Sequence, residues 1–357
     1  MVIFVIHHSQ LTIHETYMHR CIELAKLGAG YVAPNPMVGA ILVHEDRIIG
    51  EGYHQHYGRP HAEVNCIDSV KEEDRHLITS SNLYVSLEPC SHFGKTPPCS
   101  DLIIKNKIKK VVIGCRDPFK KVDGKGIEKL KAAGIEVELG VLEEECKELN
   151  KRFMIFTIQH RPYIILKWAQ TADGKIANDN SERLFISNDI TNRVVHKWRS
   201  EEASILVGTN TALSDDPELT TRNWYGPSPV RLVVDIDLKL PQSLKLFDQK
   251  QLTIVFNEIK QEEQDKLIYY QVTEDVNLIH QIVNALHQLK IQSVLVEGGA
   301  KLLQSFIDTD YWDEARVIKN EKLMIGNGLN APVLIDAVKI SEQHILSDHI
   351  EIHRHQA

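Results

Sequence analysis

The chain is poor in cysteine. Its 357 residues contain six, at positions 21, 66, 90, 99, 115 and 146. That is too few for a disulfide framework and points to reduced thiols in a cytosolic setting. Long apolar runs are missing too. Val2-Ile3-Phe4-Val5-Ile6 is too short for a bilayer span or a signal h-region, and no basic n-region precedes it. Positive charge is not in excess: the net charge of −8 argues against a broad nucleic-acid footprint, which needs a basic domain. An anionic ligand must then be held by a few local Lys and Arg side chains. No internal repeat or low-complexity tract occurs. No Gly-x-Gly-x-x-Gly follows a strand, since Gly124-Lys125-Gly126 lacks the third glycine, and this speaks against an ordinary Rossmann dinucleotide site.

What is present is an ordinary globular composition, 43% hydrophobic and 25% charged, at a length that suggests two domains. In the first half, helical spacing runs from Thr16 to Leu27 and stops at Gly28. Residues 1–14 read as an extension. Pro34-Asn35-Pro36 is a rigid turn, and 38–44 with 47–53 reads as a hairpin. Helices are expected at 61–70, 100–106, 126–133 and 143–156, and strands at 83–87, 111–115 and 137–139. Strands separated by helices predict an α/β fold with a mostly parallel sheet. Gln159-His160-Arg161-Pro162 breaks the pattern, which gives domains 1–158 and 159–357. The second domain is again α/β, with strands at 163–169, 204–208, 230–235, 252–256 and 293–296 and helices at 189–200, 277–289 and 299–307. The polar stretch 258–275 reads as a surface excursion.

The most informative motif is His61-Ala62-Glu63 followed by Pro89-Cys90 and Cys99. One imidazole and two thiolates make three zinc ligands and leave a fourth position open, the mark of a catalytic rather than a structural site. Zinc lowers the pKa of water to about 7. Glu63 sits beside that water, where it can move a proton to a leaving amine. This pattern is that of zinc nucleobase deaminases. The usual Cys-x-x-Cys is replaced here by a longer loop from Cys90 to Cys99. His92 is a competing donor, but His61 has the Glu63 partner, so His92 reads as loop or substrate contact. The motif alone leaves open deaminases of tRNA adenosine or free cytidine. The acidic charge counts against the first and the long loop against both.

In the second half, Val294-Leu295-Val296-Glu297-Gly298-Gly299 is strand, acid, glycine pair and then helix, a turn that lets backbone N–H groups approach an anion. Leu206-Val207-Gly208-Thr209-Asn210-Thr211 is similar and weaker. Arg199 and Arg222 are candidates for a phosphate ester if both face one pocket.

Taken together, these residues resemble the bifunctional riboflavin-biosynthesis deaminase–reductase family over nearly the whole chain. The first-domain match is Pro34 to Gly39, Gly58 to Glu63, Leu87 to Cys99, Asp117-Pro118 and Ala133 to Ile135. The long cysteine loop is that family's own form. The second-domain match is Leu166-Lys167, Asp173-Gly174, Leu206 to Thr211, Asp215 to Thr220, Arg222 and Val296 to Gly299. The resemblance implies a cytidine-deaminase-like three-layer α/β/α domain and a dihydrofolate-reductase-like α/β domain. It implies zinc and NADPH as cofactors, a phosphorylated pyrimidine as substrate, a cytoplasmic enzyme and a homo-oligomer, with no nucleic acid or membrane partner. On this match His61, Cys90 and Cys99 are zinc ligands, Glu63 the proton shuttle and Asn35 a pyrimidine contact. Ala169, Phe185, Thr211, Asp215 and Gly299 fall at NADP-contacting positions, and Arg199, Leu219, Arg222 and Glu297 at substrate-contacting ones. The chain departs from the family pattern at Phe185, where Trp is common, at Phe119, and over 318–322. A second domain that only binds nucleotide or supports an oligomer is the alternative.

Overall fold

A computed structural model describes residues 11–93, 97–179 and 184–356. Contacts divide the chain into two units, one up to Gln159 and one from His160. The extension expected over 1–14 lies outside the described residues for 1–10. Its last two residues already belong to a helix.

In the first unit, α1 (Ile13–Lys26) starts at Thr12, whose hydroxyl accepts from Glu15 N–H while the Glu15 carboxylate accepts from Thr12 N–H, a capping box. Then follow β1 (Gly39–His44), β2 (Arg47–Tyr53), α2 (Ala62–Asp68), β3 (Asn82–Leu87), α3 (Cys99–Lys105), β4 (Lys110–Cys115), α4 (Lys125–Ala132) and β5 (Glu136–Leu139). The helices α5 (Glu143–Leu149) and α6 (Lys151–Ile158) close the unit. The sheet order is β2-β1-β3-β4-β5. β3, β4 and β5 run parallel, but the hairpin joins β3 antiparallel, so the sheet is mixed rather than mostly parallel. Alternation along the strands loads both faces. Ala40, Leu42, Leu83, Val85, Val111 and Ile113 meet α2, α3 and α4 residues such as Cys66, Ile103 and Leu130. Ile41, Val43, Tyr84 and Val112 meet Met18, Cys21 and Ile22 of α1 and Cys146 of α5. Three layers result.

The single helix expected over 143–156 is two helices. Asn150 leaves helical geometry at φ −105°, ψ 22°, and its buried side chain accepts from Met37 N–H and donates to Met37 O, both at 2.8 Å. Satisfying that buried peptide interrupts the helix.

The second unit runs β6 (Tyr163–Gln170), β7 (Lys175–Ala177), α7 (Asp189–Glu201), β8 (Ser204–Gly208), α8 (Thr209–Asp215), β9 (Val230–Val234), β10 (Thr253–Asn257), β11 (Glu262–Gln264), β12 (Leu267–Gln271), α9 (Leu278–Gln288), β13 (Ser293–Glu297), α10 (Ala300–Asp308), β14 (Glu314–Asn320), β15 (Leu329–Asn330), β16 (Ala337–Ile345) and β17 (Asp348–His355). The main sheet has the order β11-β12-β10-β9-β8-β13-β6-β14-β17-β16 and is parallel from β12 to β14. Ile164, Leu166, Leu206, Val294 and Val296 pack on α9 and α10, while Ile205, Val207 and Val233 pack on Ala212 and Leu219. The supposed surface excursion at 258–275 contains β11 and β12. Leu267 and Tyr269 enter one core cluster and Ile268 and Tyr270 pack against the other, a short apolar run hidden among the charges on either side. The short α8 and the strands from β14 onward are further elements beyond the expected set. Among the described residues, no helix is long and apolar enough to cross a membrane.

Gly39 shows how tightly the first unit is packed. A Cβ there would lie 2.0 Å from the Cys21 carbonyl oxygen and 2.9 Å from Ala25 N in α1. Gly39→Ala is therefore expected to cost about 3 kcal/mol through overpacking. All four tryptophans lie in the second unit. In urea, the far-UV circular dichroism transition should shift to lower concentration, with a smaller change in the tryptophan fluorescence transition.

Candidate active sites in the two units

His61 is the N-cap residue of α2 and makes no side-chain cap, so its ring is available to other partners. Its Nδ1 lies 3.6 Å from Cys90 Sγ and 3.3 Å from Cys99 Sγ. Cys99 opens α3, and its N–H donates to Cys90 Sγ at 3.3 Å. Hydrogen bonding by the Cys99 thiol and by His61 holds Cys90 down as a thiolate, against its burial. The bond to Cys90 in turn raises His61 above its ordinary value. One nitrogen and two sulfurs lie within 4.8 Å of one another, a donor set and spacing that fit zinc. Glu63, in the first turn of α2, is not one of these three donors but borders them, hydrogen-bonded with the Cys99 thiol. Burial raises its carboxyl, and the nearby Cys90 charge adds to the shift.

The position of Cys90 depends on Glu88. This buried carboxylate accepts from the N–H groups of Gly124 and Gly126, each at 3.0 Å, from Ile127 at 3.3 Å and from Asp117 at 3.4 Å. Gly126 is required at the contact, since a Cβ there would sit 2.1 Å from the Pro89 carbonyl oxygen. Asp117 is buried as well. Desolvation, with Glu88 and Cys90 adding negative charge, pushes it up to about 7.

His54 adds a residue that the motif did not reveal. Its Nδ1 donates to Pro60 O at 3.1 Å, which leaves Nε2 as the acceptor for Asn35 Nδ2 at 3.1 Å. Burial lowers its pKa, so the ring is neutral. That bond turns the Asn35 amide so that Oδ1 is left for a ligand. His54 also meets His61 edge-on at 5.3 Å. The one available sequence signal was a histidine directly after a strand. His92 lies outside the metal-donor cluster, with Nδ1 buried and unpartnered. Residues 94–96 of the cysteine loop lie outside the described residues. The other four cysteines are buried and free.

The second unit holds a cavity of about 1420 Å³. Ala169, Phe185, Thr211, Asp215, Gly299, Arg199, Leu219, Arg222 and Glu297 all line it, so both arginines do face one pocket. Gly298 and Gly299 have φ of 107° and 69°. A Cβ on Gly298 would lie 2.7 Å from Thr211 Cγ2. The glycine pair thus lets the β13–α10 turn press against Thr211 while the α10 N-terminus opens onto the cavity, an arrangement that fits a pyrophosphate group.

Arg199 grips Glu297 with both arms, Nε to Oε1 at 2.9 Å and Nη2 to Oε2 at 2.7 Å. Lys167 Nζ lies 3.7 Å from the same carboxylate. Burial opposes the Glu297 charge, but Arg199 and Lys167 outweigh it and hold the carboxyl at about 2. Arg222 is half exposed and, among the described residues, has a 3.9 Å ion pair to Glu218, so it keeps donors for an anion. His196, another residue the sequence did not single out, is held to about 4 by burial beside Arg199 and Arg222 and is neutral. Phe185 is exposed at the cavity. Residues 318–320 of the unusual 318–322 segment end β14, and Asn320 donates to Ile186 O at 2.7 Å.

The Arg199–Glu297 pair sets a pH dependence. A depressed carboxyl stabilises the fold above its unfolded value of about 4.3, and this contribution is lost as pH falls toward 2. Arg199→Met leaves Glu297 with Lys167 alone. Urea unfolding at pH 7 should fall by about 3–5 kcal/mol, and the loss should shrink at pH 4, where the variant's Glu297 protonates.

Comparisons with known proteins cover both units. Residues 162–354 match the RibD C-terminal domain family, and residues 11–115 match the cytidine and deoxycytidylate deaminase zinc-binding region. The riboflavin biosynthesis protein RibD of Aquifex aeolicus is 42% identical over 326 residues, 89% of each chain. That of Bacillus amyloliquefaciens is 38% identical, over 90% of this chain and 87% of its own. A crystal structure of a diaminohydroxyphosphoribosylaminopyrimidine deaminase/5-amino-6-(5-phosphoribosylamino)uracil reductase from Thermotoga maritima superposes with a TM-score of 0.88 at 38% identity, covering 96% of this chain and 99% of its own.

Proposed function

Because the chain belongs to the RibD family of riboflavin biosynthesis proteins, we propose that its two units catalyse consecutive steps on one phosphorylated pyrimidine. It is a bifunctional enzyme with a zinc-dependent deaminase and an NADPH-dependent reductase activity. The first step hydrolyses the 2-amino group of 2,5-diamino-6-(5-phosphoribosylamino)pyrimidin-4-one, with water replacing the amine and ammonia leaving. The second reduces the ribosyl chain to ribityl and gives 5-amino-6-(5-phosphoribitylamino)uracil. The convergence of His61, Cys90 and Cys99 carries the deaminase reading.

Zinc held by those three residues supplies the Lewis acidity that makes water a nucleophile near neutral pH. The chain's own groups do the rest. Glu63 has a raised carboxyl, suited to accepting the water's proton and delivering it to the departing amine. Asn35 Oδ1, aimed by His54, accepts from the pyrimidine. In the second unit, NADPH supplies the hydride. Gly299 and the α10 N-terminus face its phosphates, with Ala169, Phe185, Thr211 and Asp215 along the same cavity. Arg222 takes the substrate phosphate. Arg199 holds Glu297 ionised to accept from the ribose hydroxyls, Leu219 packs against the substrate, and the buried Lys167 ammonium can provide the proton that accompanies the hydride.

The rival reading, a second unit that only binds nucleotide, is disfavoured by this cavity's pairing of phosphate-binding turn and buried Lys167–Glu297–Arg199 cluster. We place the enzyme in the cytoplasm on its six free cysteines and assign it no nucleic-acid partner on its charge of −8. A homo-oligomer is supported by β16, an edge strand that exposes Val338 and Ile340.

Glu63→Gln should keep zinc and lower deamination by roughly 10²–10⁴-fold, while NADPH oxidation on pre-deaminated substrate persists. Parallel loss of both activities in a folded variant would contradict separate sites. Arg222→Ala should raise KM for reduction about tenfold or more, since a charge-assisted hydrogen bond contributes roughly 1.5–3 kcal/mol. Steady-state kinetics with the deaminated substrate check this.

A further inference from the structure

We infer that the β16–β17 hairpin carries a second binding site for a divalent transition-metal ion, with His344, His349 and Glu321 as its protein donors. His344 lies directly opposite His349 across the hairpin, and Glu342 directly opposite Glu351. Residues two apart share a strand face, so these four side chains form one block. Glu321 follows β14 and is fixed beside the block by its N–H bond to Ser347 O at 2.9 Å. The two imidazoles stack, with centroids 4.2 Å apart and planes within 3°. The Glu321 carboxylate faces both, Oε2 at 3.8 Å from His344 Nδ1 and Oε1 at 4.0 Å from His349 Nδ1. One donor atom from each of the three lies within 4.8 Å of the others. Tetrahedral ligands bound at about 2.0–2.1 Å stand roughly 3.4 Å apart, so closing the site requires the exposed His344 ring to turn out of the stack until both Nδ1 lone pairs meet at one point.

The far nitrogen of His349 is also provided for. Its Nε2 lies 3.3 Å from Glu342 Oε2 and 3.9 Å from Glu351 Oε1. Nε2 is buried and makes no hydrogen bond as it stands, and turning the ring toward an ion would let one of these carboxylates accept from it, as carboxylates do for metal-bound histidines.

Charge balance points the same way. Glu342 opposite Glu351 is a like-charge pair, which destabilises a hairpin. With Glu321 there are three carboxylates. Against them stand two ammoniums, Lys339, which contacts Glu342 and lies 3.5 Å from Glu351, and Lys319, directly opposite His349 on β14, with His353 3.2 Å from Glu351. Protonating both stacked rings would set two cations 4.2 Å apart. One dication supplies the same charge without that repulsion. Mixed imidazole and carboxylate donors suit zinc, copper or nickel, whereas calcium and magnesium take oxygen ligands. Neither histidine takes part in either reaction above.

The full-length protein, stripped with chelator, is titrated with Zn2+ and its stoichiometry measured by elemental analysis. Two ions per chain are expected, falling to one in the His344→Ala/His349→Ala variant with deamination retained. Cu2+ added to protein already holding one zinc should give an electron paramagnetic resonance signal coupled to two imidazole nitrogens. Glu321→Gln, which keeps both rings, should weaken the second ion about tenfold or more. One zinc per wild-type chain at zinc well above the protein concentration, or a second ion that persists in the double-histidine variant, overturns the site.

Discussion

The first unit depends on one buried carboxylate. Glu88 leaves the end of β3 and accepts four backbone N–H groups, two from the segment between β4 and α4 and two from the first turn of α4. Those donors would otherwise be orphans of a helix start and a buried turn, each costing about 1–3 kcal/mol. By collecting them, Glu88 pins the next residues, Pro89 and Cys90, against the body of the sheet. The N-termini of α2 and α3 then bring His61 and Cys99 to the same point, and α3 adds its own N–H to the Cys90 sulfur. A donor set built from three separate segments becomes rigid through a residue that is none of the donors.

The second unit repeats the logic with different chemistry. Glu297 also stands at the carboxyl end of a strand, β13, and glycines with positive φ follow it, as glycines also pack around Glu88. Here the carboxylate is neutralised by cations instead of amides. Arg199 comes from α7 and Lys167 from β6, so one buried charge ties together the walls of the cavity. In open α/β sheets, ligands collect at the carboxyl ends of strands, and both units place their acid there.

The candidate zinc donors were legible because each is chemically uncommon and two of them sit at helix starts that the sequence marks: His61 before an apolar period, Cys99 after Pro97-Pro98. The strand–acid–glycine–helix pattern around Glu297 was legible for the same reason. His54 and His196 were not, since each acts by being buried beside a partner distant in sequence, Asn35 in one case and the Arg199–Arg222 pair in the other. Among the elements, β6, β8 and β13 announce themselves as continuous apolar runs. β12 does not, because its apolar run Leu267-Ile268-Tyr269-Tyr270 is only four residues long and is flanked by charged and polar residues. The break at Asn150 depends on Met37, more than a hundred residues earlier, and no local propensity encodes it.

The order of the large sheet has a consequence for how the protein is made. β6 is the first strand of its unit to leave the ribosome, yet it lies between β13 and β14. Tyr163 pairs with Ser293, and Ile165 with Glu314. Throughout the synthesis of the intervening segments, the run Tyr163-Ile164-Ile165-Leu166 has both edges open and no apolar cover from α10. The first unit, whose five strands are close in sequence, can condense while this happens. Translation therefore passes through a stage in which a finished domain is followed by an exposed apolar strand, and chaperone demand should concentrate in that interval.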